Sequence, residues 1–443
     1  MTDKVDADSF PDYFSVILTD RESELARCRA DYIETHISCF EYLLNYIQYC
    51  AEDEIKLTLT FQIIVKTLKK RGALLDPEFI KNQIPYLMSF ITSNPDFLVN
   101  HKVLLSYCAE AIAYSYRFLF EITVPSPPPF TEIFELYNDS NISFKIIALV
   151  VMKYVVDVMN NTELSHTLES TQRDNAIIFQ KLYLYKEECN YFQTASEIIL
   201  QSNDALVDYA LDLLNSCFQL YSNKVDYRGK RGPVDLDTYY FNPPPEIIQF
   251  YQNPSNSLPK SLIELFDQST PGGTRERQSM ECLMYLASAN ENIWLTQQST
   301  RISFLIFTAN GITQLINNQR CQKHKDSLFV TSRLVFKLAH MRLPIASFFQ
   351  EGQQIAVDFF VAVRELTIFS FNEYLMDESS NYLIRFWSQI VASRFKPNLV
   401  PQEFLQLFPQ IFEAYIEALI KQDDEKIITD FEETNMELII ESS

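Results

Sequence analysis

Glycine is scarce in this chain, and that scarcity limits the folds it can adopt. Only 7 glycines occur among 443 residues, against 34 Phe and 24 Tyr. Sheets with tight turns and phosphate-binding loops need glycine where the backbone turns sharply or takes a positive φ, whereas helix interiors disfavour it. The chain is therefore predicted to pack helix against helix, with enough aromatic side chains for a continuous core.

Amphipathic helical patterns follow one another along the chain, and few stretches alternate as a strand would. Gly72 is a stop signal after one such pattern, Pro77 suits the first turn of the next, and Asn94-Pro95 is predicted to end it. The predicted helices span 33–49, 57–68, 77–91, 103–120, 130–137, 142–159, 174–185, 195–200, 205–221, 261–266, 277–289, 300–317, 327–340, 353–370, 381–393 and 402–420.

Paired helices that recur about every forty residues are typical of HEAT-type arrays, in which each pair buries its apolar face only by stacking on its neighbours. The sequence therefore predicts an all-α, HEAT/armadillo-type α-solenoid superhelix of antiparallel helix pairs over 1–443. An irregular globular helical domain is the alternative. Four parts are distinguished: N-terminal repeats at 10–160, an irregular Pro-rich surface excursion at 226–259, further helical repeats at 260–420, and an acidic C-terminal end at 421–443. A short spacer is also predicted at 125–129.

The formal charge of −21, from 37 basic and 58 acidic side chains, limits the class of partner. Such a field repels the phosphate backbone of nucleic acids, which proteins bind with Lys and Arg. DNA and RNA are therefore not expected as partners, and a basic protein partner is favoured.

No targeting or membrane segment is expected from the sequence. The acidic start MTDKVDADSF has no apolar h-region, so no signal peptide is predicted. The most apolar run, Ile142–Met159, carries Lys145, Lys153 and Asp157, which favours a buried helix over a membrane span. The 8 cysteines are scattered, unlike those of a disulfide-stapled domain. A soluble intracellular protein without membrane contact is expected.

Sequence motifs for catalysis or metal binding are weak. The chain has no HExxH, P-loop or G-x-S-x-G motif, so no enzyme activity and no cofactor are expected. Cys28, Cys39 and Cys50 are spaced by eleven, as on one face of a continuous helix, but neighbours would lie about 16 Å apart, too far for one metal. Ordinary buried thiols are the simpler interpretation.

Three further features have a structural interpretation beside a functional one. Cys321 and His324 have the spacing of half a zinc site, although no second pair accompanies them, and an interhelical loop is the simpler interpretation. Gly272-Gly273 is predicted to be a turn before a helix. The basic cluster at 228–231 and the acidic end at 421–443 are potential partner contacts, or simply solvated segments. The basic cluster consists of Arg228, Lys230 and Arg231, and the acidic end contains Asp423, Asp424, Glu425, Asp430, Glu432 and Glu433.

Several segments of the chain, taken in order, have the pattern of a known protein family. The stretch LMYLASANENIWLTQQSTRISFLIFTANGITQLINN (283–318), with Arg301, Phe304-Leu305 and Gly311-Ile312 at matching points, resembles a segment of the exportin-seven branch of the importin-β superfamily. SRLVFKLA (332–339), NYLIRFWSQIVAS (381–393) and PQIFEAYIEALI (409–420) continue the resemblance, and Gln172-Arg173-Asp174 is similar to an upstream Phe-Arg-Asp segment, with Gln in place of the aromatic residue. Because members of this branch are longer, the chain resembles their N-terminal portion.

The resemblance implies a nuclear transport receptor that shuttles through the nuclear pore between cytoplasm and nucleus. Such a receptor binds the GTP form of Ran through its N-terminal repeats, here 10–160, carries protein cargo in export, and contacts FG nucleoporins. In this superfamily, hydrophobic slots between adjacent outer helices accept Phe side chains of nucleoporins. Candidates to line such a slot, each with a core role as the default, are Phe369, Phe371, Tyr374, Phe386 and Trp387. The alternative function is a HEAT-repeat scaffold for protein–protein interaction that does not depend on Ran.

Overall fold

The computed structural model describes residues 5–6, 8–20, 22–36, 38–50, 53–72, 75–122, 130–160, 174, 178–184, 190–202, 204–220, 245–289, 298–340, 345–375, 377–392 and 400–421. Within these ranges the protein is all-helical and contains no strand, as the scarcity of glycine predicted. The chain forms two compact units, Met1–Val234 and Asp235–Ser443. One continuous solenoid over 1–443 stays a prediction.

The first unit is built from helices of 6 to 21 residues. They are α1 (Phe10–Thr19), α2 (Glu24–Thr35), α3 (Ser38–Tyr49), α4 (Glu54–Arg71), α5 (Pro77–Ser93), α6 (Pro95–Asn100), α7 (Lys102–Ile122), α8 (Thr131–Asn138), α9 (Ile142–Asn160), α10 (Tyr191–Leu200) and α11 (Val207–Leu220), with a short π-helical turn at Gln180–Leu184.

Helices of the first unit pack as successive pairs. α1 packs on α2, α3 on α4, α5 on α7, α8 on α9, and α10 on α11. The second helix of each pair also packs on the second helix of the next pair, so α2, α4, α7, α9 and α11 form one continuous row. We call this the first-unit row. A repeat of this kind buries apolar surface between pairs as well as within them.

Contacts near the helix ends show that α2, α4, α7 and α9 of the first-unit row run parallel. His101 Nε2, just before α7, lies 3.4 Å from Glu54 Oε2 at the start of α4. At the opposite ends, Arg117 Nη1 of α7 donates to the Val158 carbonyl of α9 at 2.9 Å. Lys70, near the end of α4, pairs with Glu34 near the end of α2. The N-termini of these helices therefore lie along one edge of the unit.

Local sequence signals set several helix boundaries. Asp53 accepts a hydrogen bond from the Lys56 amide at 3.1 Å and caps α4, which then ends at Gly72 as predicted. Pro77 occupies the first turn of α5, and Pro95 opens α6 after α5 has ended at Ser93, so these predictions are confirmed. Proline is tolerated there because a first-turn N–H has no partner within the helix.

A cluster of aromatic side chains around Phe130 forms part of the first unit's core. The Phe130 ring centroid lies 4.7 Å from that of Tyr116 and 4.5 Å from that of Tyr183, with Phe179 and Tyr191 completing the cluster. All five side chains are buried. Burial raises the pKa of the Tyr116 hydroxyl well above its ordinary value. Rings of this size supply much of the apolar area that holds stacked helices together.

The second unit continues with the same kind of element. Its helices are α12 (Pro245–Gln252), α13 (Leu258–Gln268), α14 (Thr274–Leu286), α15 (Gln298–Asn317), α16 (Lys325–His340), α17 (Ile345–Glu351), α18 (Gln353–Tyr374), α19 (Glu378–Ala392), α20 (Gln402–Leu405) and α21 (407–421), with a 3₁₀ turn at Pro254–Asn256.

Two rows of helices run through the second unit. One row contains α14, α16 and α19, and the other contains α12, α15 and α18. α18 packs on α19, and α13 packs on both α14 and α15, so these contacts join the rows.

The predicted irregular excursion at 226–259 is wrong over its second part. Residues 245–252 form α12, 254–256 form the 3₁₀ turn, and α13 begins at Leu258. The described prolines of this segment, Pro245, Pro254 and Pro259, lie in first turns, where they start helices instead of breaking them. Residues 226–244 lie outside the described residues, as does the predicted spacer at 125–129.

Two long predicted helices are each divided in the structure. The pattern at 33–49 belongs to the end of α2 and to α3, and His36 between them has an extended backbone. The pattern at 402–420 is split at Gln406 into α20 and α21. In each case the apolar residues before and after the break face the same core. The apolar periodicity therefore continues across the break and does not reveal it.

Candidate partner-binding surface

Charged side chains cross the first-unit row within the predicted N-terminal repeats. The Glu34 side chain of α2 is only 4% exposed. Its carboxylate pairs with Lys66 Nζ at 3.5 Å and with Lys70 Nζ, both on α4. A carboxylate this buried needs paired charges, because desolvation disfavours its ionised form. Glu34 therefore holds two lysine side chains of the next pair in place.

The pattern extends from α4 to α7. Lys69 Nζ lies 2.6 Å from Glu110 Oε1 and 5.5 Å from the centroid of the Tyr114 ring. Burial, with a smaller contribution from the Glu110 charge, raises the pKa of Tyr114 to about 12. We call Glu34, Lys66, Lys69, Lys70 and Glu110 the charged ladder.

The charged ladder presents a local basic strip on an acidic chain. Its carboxylates lie inward, whereas the side chains of Lys66, Lys69 and Lys70 remain 41 to 53% exposed. Ammonium groups fixed in this way can pair with carboxylates or phosphates of a partner, and their effect is greatest on association rate and specificity. The arrangement suits recognition of a partner surface.

A buried arginine connects two successive helix pairs in the second unit. Arg320, in the turn after α15, donates to the Phe266 carbonyl at 2.8 Å and to the Ser269 carbonyl at 2.7 Å. Its guanidinium also lies 3.2 Å from Glu276 Oε1, and the other oxygen of Glu276 accepts from the Gly272 amide. This arginine clamp fixes the end of α13 relative to the start of α14 and the α15–α16 turn.

A small cavity of about 220 Å³ lies beside the arginine clamp, between the start of α14 and the first turns of α16. Phe329 and Val330 form its apolar wall, and Arg277 and Asp326 form its polar rim. Gly272, whose φ is +74°, shapes its floor with Gly273, and the predicted turn before a helix is confirmed. The cavity has room for one side chain of a partner, and is smaller than the pockets of about 300 Å³ or more that typically hold small-molecule ligands.

The predicted half zinc site joins one buried and one exposed residue. The Cys321 thiol is buried and accepts a hydrogen bond from Thr331 Oγ1 at 3.4 Å. Burial raises its pKa to about 12, which opposes the thiolate that zinc requires. His324 is exposed and contacts Asp326 instead. Among the described residues, no group of three or more His, Cys, Asp or Glu is arranged to hold a metal ion.

The three evenly spaced cysteines do not share one helix, contrary to the sequence prediction. Cys28 lies on α2 and is exposed, whereas Cys39 lies on α3 and Cys50 directly follows it, both buried. Burial raises the pKa of both buried thiols. The buried-thiol interpretation therefore holds for Cys39 and Cys50 but is wrong for Cys28, because the chain turns at His36.

Most of the aromatic candidates for a nucleoporin slot belong to the core. Phe371, Phe386 and Trp387 are buried, and Trp387 Nε1 donates to Thr367 Oγ1 at 3.0 Å. Phe369 and Tyr374 are partly exposed on α18, with ring centroids 6.4 Å apart. The structure thus separates the five candidates into three core residues and two surface residues.

Other sequence candidates lie outside the described residues. These are the basic cluster Arg228, Lys230 and Arg231, nearly all of the acidic end at 421–443, and the Gln172-Arg173 part of an upstream resembling segment. Within the described ranges, none of the helices combines the length and apolarity that a bilayer crossing requires. The apolar run that begins at Ile142 is α9, most of whose residues are buried in the first unit.

Sequence analysis missed the charged ladder and the arginine clamp. Lys66 and Lys70 are four residues apart, which places them on one face of a helix, and this spacing was an available signal. Their partner Glu34 lies more than thirty residues earlier, and Arg320 lies 44 residues after Glu276. Such pairs become visible only when the stacking order of the helices is known.

No protein-family model matches the chain, and no curated protein matches it significantly. The residues, their packing and the surfaces they expose therefore carry the functional argument.

Proposed function

We propose that this protein is a nuclear transport receptor of the importin-β type, resembling the exportin-seven branch. It binds Ran-GTP, protein cargo and FG nucleoporins, and it acts in protein export without catalysing a reaction. The observation that carries the proposal is the packing of helices into continuous rows in both units. Such packing is what a HEAT/armadillo-type α-solenoid requires, and solenoids offer extended surfaces for partners.

The N-terminal repeats at 10–160 are the proposed Ran contact. The charged ladder lies in these repeats and joins α2, α4 and α7 through Glu34, Lys69 and Glu110. Because neighbouring repeats share its ion pairs, a partner that binds the lysines also senses the spacing between those repeats. Binding of Ran-GTP and cargo would then be coupled, provided that Ran-GTP favours one curvature of the array by its differential affinity.

The first test is the affinity of the purified chain for Ran loaded with a non-hydrolysable GTP analogue, and separately with GDP. Sub-micromolar binding that requires the GTP state is the expected result. Equal binding, or no binding, in the two states would refute the transport proposal for this chain.

A matched pair of variants tests the charged ladder within that assay. Lys66→Gln removes one exposed charge while Lys70 still neutralises Glu34. Lys81→Gln on α5 removes a charge of similar exposure outside the first-unit row. We expect Lys66→Gln to lower the association rate several-fold and Lys81→Gln to leave it unchanged. Equal effects would place the Ran contact elsewhere.

A scaffold that binds proteins without Ran is the second candidate function. The same helical rows support it, since a stacked array binds partners whether or not a GTPase controls it. Nucleotide-independent binding of a protein partner to the chain would favour this candidate.

A further inference from the structure

Exposed large apolar side chains are concentrated along one edge of the first unit. Four such residues, Leu25, Ile55, Val103 and Ile142, lie in the first turns of helices of the first-unit row, and a fifth, Tyr49, ends α3 five residues before α4 begins. Their exposures range from 42 to 75%. We call this set the apolar edge.

The end contacts already described place these residues on the same side. Leu25, Ile55 and Val103 are each the second residue of their helix, and Ile142 is the first of α9. His101 beside Glu54 brings the starts of α4 and α7 together. Ser143 Oγ, which donates to Asp96 at 2.7 Å, brings the start of α9 to α6, directly before α7. These contacts bring the starts of α4, α7 and α9 together, and the parallel course of α2 and α4 places Leu25 on the same side of the unit.

Exposed apolar residues scattered singly need no explanation, but a row of them marks an interaction surface. Parallel helices that pack together have axes about 8–10 Å apart. An α-helix advances about 10.5 Å in seven residues. A helix with apolar residues at every seventh position therefore places one anchor over each helix start, and about 22 residues span the four starts.

The charge around the apolar edge determines what kind of partner helix can bind there. The described residues of the segments 20–25, 49–56, 94–103 and 138–142 contain seven carboxylates against two lysines. The carboxylates are Asp20, Glu22, Glu24, Asp53, Glu54, Asp96 and Asp139, and the lysines are Lys56 and Lys102.

Helix N-termini carry about half a positive charge each, so four of them offset less than half of the excess of five carboxylates. The edge is therefore net negative as well as apolar. We propose that the apolar edge binds a basic amphipathic helix of a protein partner, with apolar anchors seven residues apart and Lys or Arg beside them. This surface is separate from the charged ladder, whose residues on α2 and α4 lie toward the C-terminal ends of those helices.

Fluorescence anisotropy with a synthetic 25-residue peptide tests the proposal on the full chain. The peptide carries Leu at every seventh position, Lys on both flanks and Ala elsewhere. A matched peptide replaces each Lys with Glu. We expect saturable binding of the basic peptide at physiological salt, and binding of the acidic peptide at least tenfold weaker.

Two double variants with matched exposure separate the edge from the general attraction of an acidic chain. Ile55→Ser/Val103→Ser changes residues that are 63 and 60% exposed, and Val391→Ser/Ile420→Ser changes residues of the second unit that are 59 and 57% exposed. We expect the first variant to bind the basic peptide at least tenfold more weakly than the parent chain, and the second to bind it with unchanged affinity.

Several outcomes would overturn the proposal. Equal binding of the two peptides, or equal effects of the two double variants, would show that no specific helix site exists on the edge. A chain that self-associates until Ile55→Ser/Val103→Ser makes it monomeric would assign the edge to a second copy. Circular dichroism checks that each variant keeps the helical content of the parent chain.

Discussion

The arginine clamp of the second unit provides the sharpest test of the packing described above. Arg320 and Glu276 have side chains that are 4% and 1% exposed. The Arg320 guanidinium donates to three carbonyls at the end of α13 and to Glu276, and it lies 4.9 Å from the Phe266 ring centroid. Arg320→Met removes all of these bonds and leaves the Glu276 carboxylate buried with the Gly272 amide.

Breaking one side of a buried ion pair costs about 3–5 kcal/mol, because the remaining charge is left without compensation. We expect Arg320→Met to lower the free energy of unfolding of the second unit by that amount. Arg320→Met/Glu276→Gln removes the uncompensated charge, although the α13 carbonyls stay unpaired. The double variant is therefore expected to recover about 1.5–3 kcal/mol, a coupling typical of groups in one hydrogen-bond network.

Urea unfolding followed by tryptophan fluorescence measures this effect. Both tryptophans of the chain, Trp294 and Trp387, belong to the second unit, and Trp387 is buried in its core. Arg277→Met is the control, since Arg277 is largely exposed and its contact to Glu281 is 4.0 Å long. The control is expected to change stability by less than about 0.5 kcal/mol. A cost below about 1 kcal/mol for Arg320→Met, or additive effects in the double variant, would refute the reasoning.

Further predictions test other parts of the fold. Burial raises the pKa of Glu281 in the folded protein, although Arg277 lies nearby. Protonated Glu281 therefore contributes stability below the unfolded pKa of about 4.3. This contribution is lost as the pH rises through the higher folded pKa. Glu281→Gln should therefore gain stability relative to the parent chain between pH 4 and 7, in urea titrations followed by tryptophan fluorescence; a constant difference would contradict this. Phe130→Ala should lower the stability of the first unit by about 3–5 kcal/mol in circular-dichroism melts, and an unchanged melting curve would contradict this. Gly272→Ala should destabilise the second unit by at least about 1 kcal/mol, since φ is +74° and the added Cβ would meet the His324 ring; wild-type stability would contradict this. Cys28→Ser should remove one thiol from the fast phase of labelling by a thiol reagent, because Cys28 is exposed, and an unchanged fast phase would contradict this.

Local signals in the sequence were sufficient to predict an all-helical protein and several helix boundaries. Few glycines and a recurring helical period predicted an all-helical protein, and Gly72, Pro77 and Pro95 marked boundaries that the structure confirms. These signals act within one helical turn, because a missing N–H or a capping side chain affects only adjacent backbone groups. The prediction of an irregular segment was wrong at 245–259, because a proline that starts a helix cannot be told from one that breaks it by local sequence alone.

The tertiary structure alone decided which side chains are exposed and which charged groups pair. Cys28 and Cys39 share a spacing rule in sequence, yet one is exposed and the other buried, because they lie on different helices of adjacent pairs. Glu34 and Lys70 pair only because α2 and α4 stack in parallel. The apolar edge likewise exists because four distant segments begin their helices side by side. A helical period specifies that one face is buried, but the stacking of neighbouring pairs decides what covers that face and what remains open to a partner.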